Sequence, residues 1–560
     1  MAADAAEIIK RFNRLVNDEA TYRQTCQDLA EFFCPYKGNI TNQTTPGARK
    51  TQRLFDTEGV VAARTFSANI QGALCNQAQE WYSLRIRDDE LNRVKPVRDW
   101  CEAVTKIAVA AQAASNFYTE LSEVFVDLPL FGRGGLYCDE RPPTGPNRFG
   151  GLHYVATVIG HHVISENAMG RVDTVFRDFE WPVAEVAKLW PDTCSAQVRT
   201  KAEDAAKRDD LVKLVHAVYP RDVSLVGARA AKGKAWASCY LEHDSKTLLA
   251  EGGYDENPYA VARWSKDSLS PYGWGLGAIA YPDVRTLNRY VELDLQARGK
   301  VVDPPLIQRQ DAIFGSLSLD PAAINVSSYD GPLKDSVIPL ESGARFDVNN
   351  DGIARLERKI GSVFYGPLLR EITKDLTATE AWMIQDEIMR LLGPAAGRLQ
   401  TELLSAAIER TVAVLSRAGQ LPPPPQELIE AGFDVDLDIV YEGPLARAQR
   451  SRDLVAIERK NAWLGGLATF APDIAMRTAH KFDWDGEASL VSEVTGYPSD
   501  LVLSDEKVAA IRENLAKQQA AQAQLGVMAG AAEAVGKAGP GVKALAEATQ
   551  VGQQPQEAAA

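Results

Sequence analysis

The chain has 560 residues, enough for more than one domain's worth of core, with 45% hydrophobic and 24% charged residues and a formal net charge of −14. That acidic balance excludes a protein that coats nucleic acid by wholesale phosphate neutralisation. Seven scattered cysteines without a C-x-x-C pair argue against a zinc ribbon and read as buried free thiols.

The N-terminal MAADAAEIIKRFNRL is an amphipathic helix start without a leader's long apolar core, and no apolar run reaches the ~18 residues of a membrane span, so folding in a cytoplasm is expected. Residues 1 to about 130 read as mainly helical. Ile8, Ile9, Phe12 and Leu15 share one helix face, and Val60, Ala63, Phe66 and Ile70 share another. EWYSLRIRD is strand-like, and residues 97–132 read as helix again. From 131 to 264 the period switches towards two, in segments such as GGLYCDE, LHYVATVIG, HHVISEN, VDTVFRDFEW, LVKLVHAVYP, KAWASCYLE and YAVARW. Gly, Pro, Asn and Asp punctuate them, as in mixed sheets, with a helical interruption at PVAEVAKLWP.

A helix is predicted over 283–300, with Val284, Leu287, Val291 and Leu295 as its apolar stripe, stopped by Asp303-Pro304-Pro305. Residues 301–348 read as a β-containing excursion. The next helix has Asn349 to Asp351 as cap candidates and Ile353, Leu356, Ile360 and Val363 on one face. Thr377-Ala-Thr-Glu380 is a capping box opening a pattern that runs to about Arg417, roughly 60 Å of helix, which Gly393-Pro394 should kink. LPPPP ends it, DVDLDIVY is a strand, 445–520 is helical, and the Ala/Gln-rich end frays.

Between YAVARW and the 283–300 helix lies SPYGWGLGAIAYPD, a strand–glycine–helix order that raises a phosphate-binding turn. The details depart from one. Gly273, Gly275 and Gly277 place the last glycine one position early, Trp274 and Leu276 are bulky, and VVDPPL closes no βαβ unit. The glycines are read instead as a hinge or packing element. No G-x-x-x-x-G-K-[ST], G-x-S-x-G or H-E-x-x-H is present. His161 and His162 would point to opposite faces of a strand and make a poor metal pair. Asp434, Asp436 and Asp438 share one strand face, which reads as a solvated edge, with metal binding as the alternative. No cofactor and no catalytic residue is predicted.

Four stretches in order carry a family resemblance. They are SPYGWGLGAIAYPDVRTLNRYVELDLQARGKVVDPPLI, TATEAWMIQDEIMRLLGPAAGRLQTELLSAAIERTVAVLSRAGQLPPPP, VDLDIVYEGPLARAQRS and VTGYPSDLVLSDEKVAAIRENLAKQQAAQ, with weaker similarity in RLFDTEGVVAARTFSANIQGAL. In this order and spacing the chain resembles the portal proteins, or head-to-tail connectors, of short-tailed bacteriophages. The resemblance implies an α+β, mainly helical fold with a wing (1–282), a first stem helix (283–300) and a clip (301–348). A second stem helix (349–369), a tunnel loop (370–378), a long helix (379–420) and a return strand (421–445) follow. A helical crown (446–520) and a partly disordered tail (521–560) complete it. It implies a dodecameric ring at one capsid vertex through which double-stranded DNA is packaged and ejected. Its partners would be the terminase large subunit, then tail or adaptor proteins, and the major capsid and scaffolding proteins. Its places would be the virion and, during assembly, the host cytoplasm. The rival readings are another head–tail ring or adaptor, and a nucleotide-binding enzyme using the 270–283 loop.

Charge is uneven along these parts. In 283–300, Arg285, Arg289, Arg298 and Lys300 outnumber Asp283, Glu292 and Asp294. In 349–370, Arg355, Arg358, Lys359 and Arg370 outnumber Asp351 and Glu357. The clip is acidic. On the resemblance, Arg355, Arg358, Lys359, Arg370 and Lys374 are expected to meet DNA in the channel, or to form intersubunit ion pairs. Asp320, Asp330, Lys334 and Asp335 are expected to dock partners, with Gly393 and Pro394 as a hinge.

Overall fold

The computed structural model describes residues 4–518 apart from 46, 143–148, 222–232, 269, 309–336, 340–345, 367–390, 431, 433–436, 442–443, 496–502 and 504–506. Two compact units divide the chain, Met1–Arg452 and Asp453–Ala560.

The first unit opens with α1 (Ala5–Asp18), capped by the Asp4 side chain, which accepts from the Ala6 N–H. Its predicted apolar face is buried. Helices α2 (Ala20–Phe33) and α3 (Glu58–Leu74), strand β1 (Tyr82–Ile86), the short α4 (Asp89–Arg93), α5 (Lys95–Ala114) and α6 (Phe117–Phe131) follow. The stretch read as one helix over 97–132 is two. Asn116 breaks it because its amide serves both backbone groups of Tyr154, donating from Nδ2 to the carbonyl (2.7 Å) and accepting its N–H (3.0 Å). That side chain closes the free edge of a sheet.

Eight strands come next, with two helices between the fourth and fifth. They are β2 (Arg133–Glu140), β3 (Leu152–Ala156), β4 (His162–Glu166), β5 (Val172–Pro182), α7 (Val183–Leu189), α8 (Ala196–Glu203), β6 (Leu211–Pro220), β7 (Trp236–Glu242), β8 (Thr247–Tyr254) and β9 (Tyr259–Arg263). Strand β8 and helix α8 have no counterpart among the predicted elements. The expected mixed pairing is corrected: every described ladder is antiparallel, in the orders β3-β2-β9 and β4-β5-β6-β7-β8. Short connections such as the loop through Gly170 (φ 72°) permit hairpins and leave no room for parallel crossovers.

Period-two alternation sorts the five-stranded sheet into faces. Val163, Phe176, Val215, Ala217, Cys239 and Leu241 meet Ile9, Phe12 and Leu15 of α1. On the opposite face Leu214 and Leu249 meet Val183, Val186 and Val198 of α7 and α8. Ile164, Val175 and Val218 meet Tyr137, Tyr259 and Val261 of the smaller sheet. All seven cysteines are free and buried.

The largest core packs α2, α3, α5 and α6 against the smaller sheet and a long helix, α9 (Leu276–Val302). This helix begins seven residues before the expected Asp283. Pro282 suggests a start there, yet it lies inside the helix, and the extra turns bury Leu276, Gly277 and Ala280. Its apolar stripe also differs. Asp294 is buried where Leu295 was expected, and Leu295 is 55% exposed. Asp303 caps the end as predicted.

Strands β10 (Leu306–Gln308) and β11 (Val337–Pro339) pair at the base of the excursion. Helix α10 (Phe346–Val363) starts before Asn349, so Asn349 to Asp351 are intrahelical rather than caps. Residues 391–399 are helical through Gly393 and Pro394. The only irregularity expected in this helix is the kink at Gly393-Pro394, but beyond them a π segment, Gln400–Leu404, interrupts it before α11 (Ser405–Arg417) resumes. Helix α12 (Gln426–Glu430) leads to β12 (Leu437–Tyr441), which pairs with β1, and α13 (Pro444–Phe470) follows. Asp438 is exposed on β12; Asp434 and Asp436 lie outside the described residues.

The second unit contains α14 (Pro472–Ala479), α15 (Trp484–Thr495) and a helical stretch at 507–518. Lys460 Nζ sits 4.6 Å from the Phe482 ring centroid and 4.3 Å from that of Trp484.

Candidate functional site

The glycine run is packed backbone to backbone. Helix α6 ends at Gly132 in the left-handed conformation (φ 85°), the usual requirement at that cap. The chain of residues 273–277 lies across this end. A Cβ at Gly273 would stand 1.9 Å from the Gly132 carbonyl oxygen, one at Gly275 2.4 Å from that of Pro129, and one at Gly277 2.5 Å from that of Leu130. Trp264 N–H donates to the Gly132 carbonyl (2.9 Å) and Trp274 N–H to that of Ser265 (2.8 Å). The Pro129, Leu130 and Gly132 carbonyls form the negative end of α6, an environment that repels phosphate. Gly273, Gly275 and Gly277 are all buried, their Cα atoms turned to the backbone of α6 rather than to a ligand.

Two arginines fix the strands beside this junction. Arg133 and Arg263 stand opposite each other in the β2–β9 ladder. Arg133, fully buried, donates to Glu19 at 2.5 Å and lies over the stacked Tyr22 and Tyr272 rings. Arg263 pairs with Glu166 and donates from Nη2 to Glu402 Oε1 at 2.8 Å. Like charges across a ladder need this neutralisation. Burial and the Arg133 guanidinium hold neighbouring His162 neutral, with its pKa well below the usual range. His161, half-exposed, pairs instead with Asp178 at 3.3 Å, so the two histidines do face opposite ways. Among the described residues no group of His, Cys, Asp and Glu could hold a metal ion.

From the junction, α9 runs out and α10 returns antiparallel. Polar contacts clamp the pair near both ends. Lys359 Nζ lies 2.7 Å from Asp283 Oδ1. Asn349 Nδ2 donates to Asp294 Oδ1 at 2.8 Å, Arg298 donates to Asp294 Oδ2 at 2.5 Å and to Asn350 at 3.1 Å, and its guanidinium covers the Phe346 ring. The hydrogen bonds from Arg298 and Asn349 hold the Asp294 carboxyl below the usual carboxylate range. Between the clamps Ile353 and Leu356 are half-buried against the core, and Ile360, next to Lys359, is fully buried in it. The loop before α3 is tied to the same helix, since Phe55 and Asp56 both donate backbone N–H to Asn288 Oδ1 (2.8 and 3.1 Å).

Of the basic candidates, Arg355, Arg358 and Lys359 are exposed on α10. Lys359 is engaged by Asp283, Arg358 donates to the Ala354 carbonyl of its own helix, and among the described residues neither Arg355 nor Arg358 pairs with a carboxylate. Arg370 and Lys374, and the clip residues Asp320, Asp330, Lys334 and Asp335, lie outside the described residues. A Cβ added at Gly393 would meet nothing within 4 Å, so no close approach requires glycine there.

The π segment is absent from the sequence-based expectations. The local pattern gives no signal of it, since buried Leu399 is followed at the ordinary helical step of four by buried Leu403, with Leu404 buried beside it. The segment is held on two sides. Arg263 donates to Glu402 from its backbone N–H (3.1 Å), Nε (3.2 Å) and Nη2. Tyr441 of β12 donates its hydroxyl to the Gln400 carbonyl (2.9 Å).

With this geometry in view, comparison with known proteins is decisive. A family model described as bacteriophage head to tail connecting protein matches residues 5–503. The chain is similar to a probable portal protein of Bordetella phage BPP-1, 26% identical over 548 residues and 95% of each chain. It is also similar to a portal protein of Salmonella phage epsilon15, 26% identical over 530 residues and 92% of each chain. The family is structural rather than enzymatic, and among the described residues no helix is long and apolar enough to cross a membrane. A match that runs through the two antiparallel sheets, the glycine junction and the antiparallel helix pair means that this chain belongs to the bacteriophage head to tail connecting protein family.

Proposed function

We propose that copies of this chain form a closed ring, normally of twelve, at one vertex of the capsid. Double-stranded DNA passes through the ring during packaging and ejection. The terminase large subunit docks on it first and tail or adaptor proteins replace it, with major capsid and scaffolding proteins around it during assembly in the host cytoplasm. The observation that carries this reading is the family match over residues 5–503, together with similarity along nearly the whole chain to two phage portal proteins.

In this reading α9 and α10 carry the stem, and residues 301–348, which include β10 and β11, are the clip. Arg355 and Arg358, with Arg370 and Lys374, touch the DNA backbone in transit. An acidic protein with a few exposed bases suits a conduit, because each further phosphate contact adds affinity and slows passage. Asp320, Asp330, Lys334 and Asp335 dock the motor and then the tail. Gly393 and Pro394 let the long helix turn. The ring itself performs no hydrolysis. The test is a reconstituted packaging reaction. Heads assembled without this chain should protect no DNA from nuclease, and heads assembled with it should protect a genome's length. Packaging by heads that lack it would overturn the proposal.

A further inference from the structure

The π segment is held from outside its own helix. In it the Ser405 N–H donates to the Gln400 carbonyl, five residues back. A π turn inside an α-helix holds one residue more than the helix needs and forms poorer hydrogen bonds than its flanks, so it persists only where outside contacts hold it. Here both outside contacts come from strands. Arg263, at the end of β9, places three N–H groups on the single carboxylate of Glu402. Tyr441, at the end of β12, spends its one hydroxyl proton on the Gln400 carbonyl, so Ser405 Oγ, 2.7 Å away, is the donor to Tyr441.

The two locks differ in kind. The guanidinium is shared, because Arg263 also pairs with Glu166, whose other oxygen lies 2.7 Å from Lys266 Nζ. Glu166 can therefore keep Arg263 neutralised if Glu402 leaves, so release strands no buried charge. The flanks are unequal too. Beyond the segment, Ala407, Ile408, Val414 and Leu415 are in the main core, and the Thr411 and Tyr154 hydroxyls share a hydrogen bond at 2.7 Å. Before it, residues 391–399 reach the same core through fewer side chains, Leu392, Ala396 and Leu399 with Ala395 half-buried beside them, and Arg398 reaches the Trp264 carbonyl beside the sheet at a long 3.4 Å.

We infer that Gln400–Leu404 is a register switch, closed in its π form by Arg263 and Tyr441 and opening to an α-helix when they let go. Opening adds about one residue's worth of helix, so residues 391–399 turn by ~100° and advance ~1.5 Å while α11 stays in the core. The inference stands on the hydrogen bonds and not on the ring proposal.

Two variants of the full chain test it by amide hydrogen exchange and by a structure of each. Tyr441→Phe removes one lock while keeping the ring's packing. Exchange at residues 400–405 should speed up by about tenfold, exchange in α11 should change less than twofold, and the structure should show Ser405 N–H bonded four residues back. Deleting Thr401, whose side chain is exposed, removes the extra residue. The helix should become α throughout, keep the wild-type melting temperature and slow its exchange at this site to that of α11. Unchanged exchange and a retained π turn in Tyr441→Phe would overturn the switch. So would a deletion variant that melts well below wild type, since the π turn would then be a packing requirement. If the deletion variant fails to fold, that outcome counts against the switch in the same way.

Discussion

Gly132 and Gly273 occupy each other's side-chain space. A Cβ on Gly273 would lie 1.9 Å from the Gly132 carbonyl oxygen, and one on Gly132 would lie 2.4 Å from that of Gly273. The obstacle on each side is backbone, which has no rotamer to move. Gly273→Ala should therefore cost about 1–3 kcal/mol or more in unfolding free energy, the range of overpacked sites. Gly299→Ala, in open space on α9, should be neutral or stabilise by up to ~1 kcal/mol. Urea unfolding followed by fluorescence compares the two. Equal stability of both variants would show that the junction gives way.

The Asp294 carboxyl sits below its usual pKa of 3.8 because Arg298 and Asn349 hydrogen-bond its ionised form. A carboxyl depressed in the folded state contributes stability above its unfolded pKa and loses it as the pH falls through the folded value. Wild type should thus hold its advantage over Asp294→Asn at pH 7 and lose it progressively as the pH falls through and below the ordinary carboxylate pKa. An advantage independent of pH would assign the effect to shape alone.

His216 is buried between sheets, with Nδ1 2.9 Å from the Tyr259 hydroxyl, Nε2 3.0 Å from Ser238 Oγ and its ring stacked on Tyr240. Burial pushes its pKa down to about 3. A histidine depressed in the folded state leaves the unfolded chain binding more protons. Stability is full above the ordinary histidine pKa of 6.5 and falls as the pH drops from there towards 3, by about 1.4 kcal/mol per pH unit for this one group. His216→Gln should flatten that slope in denaturation midpoints taken at pH 7, 6, 5 and 4, although it lowers stability at pH 7. An unchanged slope would mean that other groups govern the acid limb.

Arg355 and Arg358 are exposed on α10 without a carboxylate partner among the described residues. If they meet DNA, the double variant Arg355→Ala with Arg358→Ala should assemble rings and weaken DNA retention in filled heads. If they pair with a neighbouring subunit instead, the rings themselves should fall apart at lower salt than wild type. Intact rings with unchanged retention would remove both residues from the channel.

Charge reversal of Asp330 and Asp335 to Lys should weaken motor docking and leave ring mass unchanged, with the largest effect at low salt. Docking of equal strength at low and high salt would rule out an electrostatic clip.

Much of this fold is legible in the sequence, and the failures have physical causes. Strands such as GGLYCDE and LVKLVHAVYP are legible because they are short apolar-rich runs bounded by turn residues, a local pattern that persists although both of their faces are buried. The predicted start of α9 falls too late because Pro282 is a local stop signal, while the burial that overrides it comes from the carbonyls of α6, about 150 residues earlier in the chain. The exchange of Leu295 for Asp294 on the buried face depends on Asn349 and Arg298. The π segment depends on Arg263 and Tyr441, which no window around residue 400 contains. The glycine run is legible as packing rather than phosphate binding because Trp274 and Leu276 stand inside it.

The most direct measurement is the mass and outline of the purified protein, by native mass spectrometry with negative-stain microscopy. The chain is 61.1 kDa, so a closed ring of twelve predicts a species of about 730 kDa with a central hole. A protein that stays monomeric or dimeric across a hundredfold range of concentration and from low to high salt would contradict the ring.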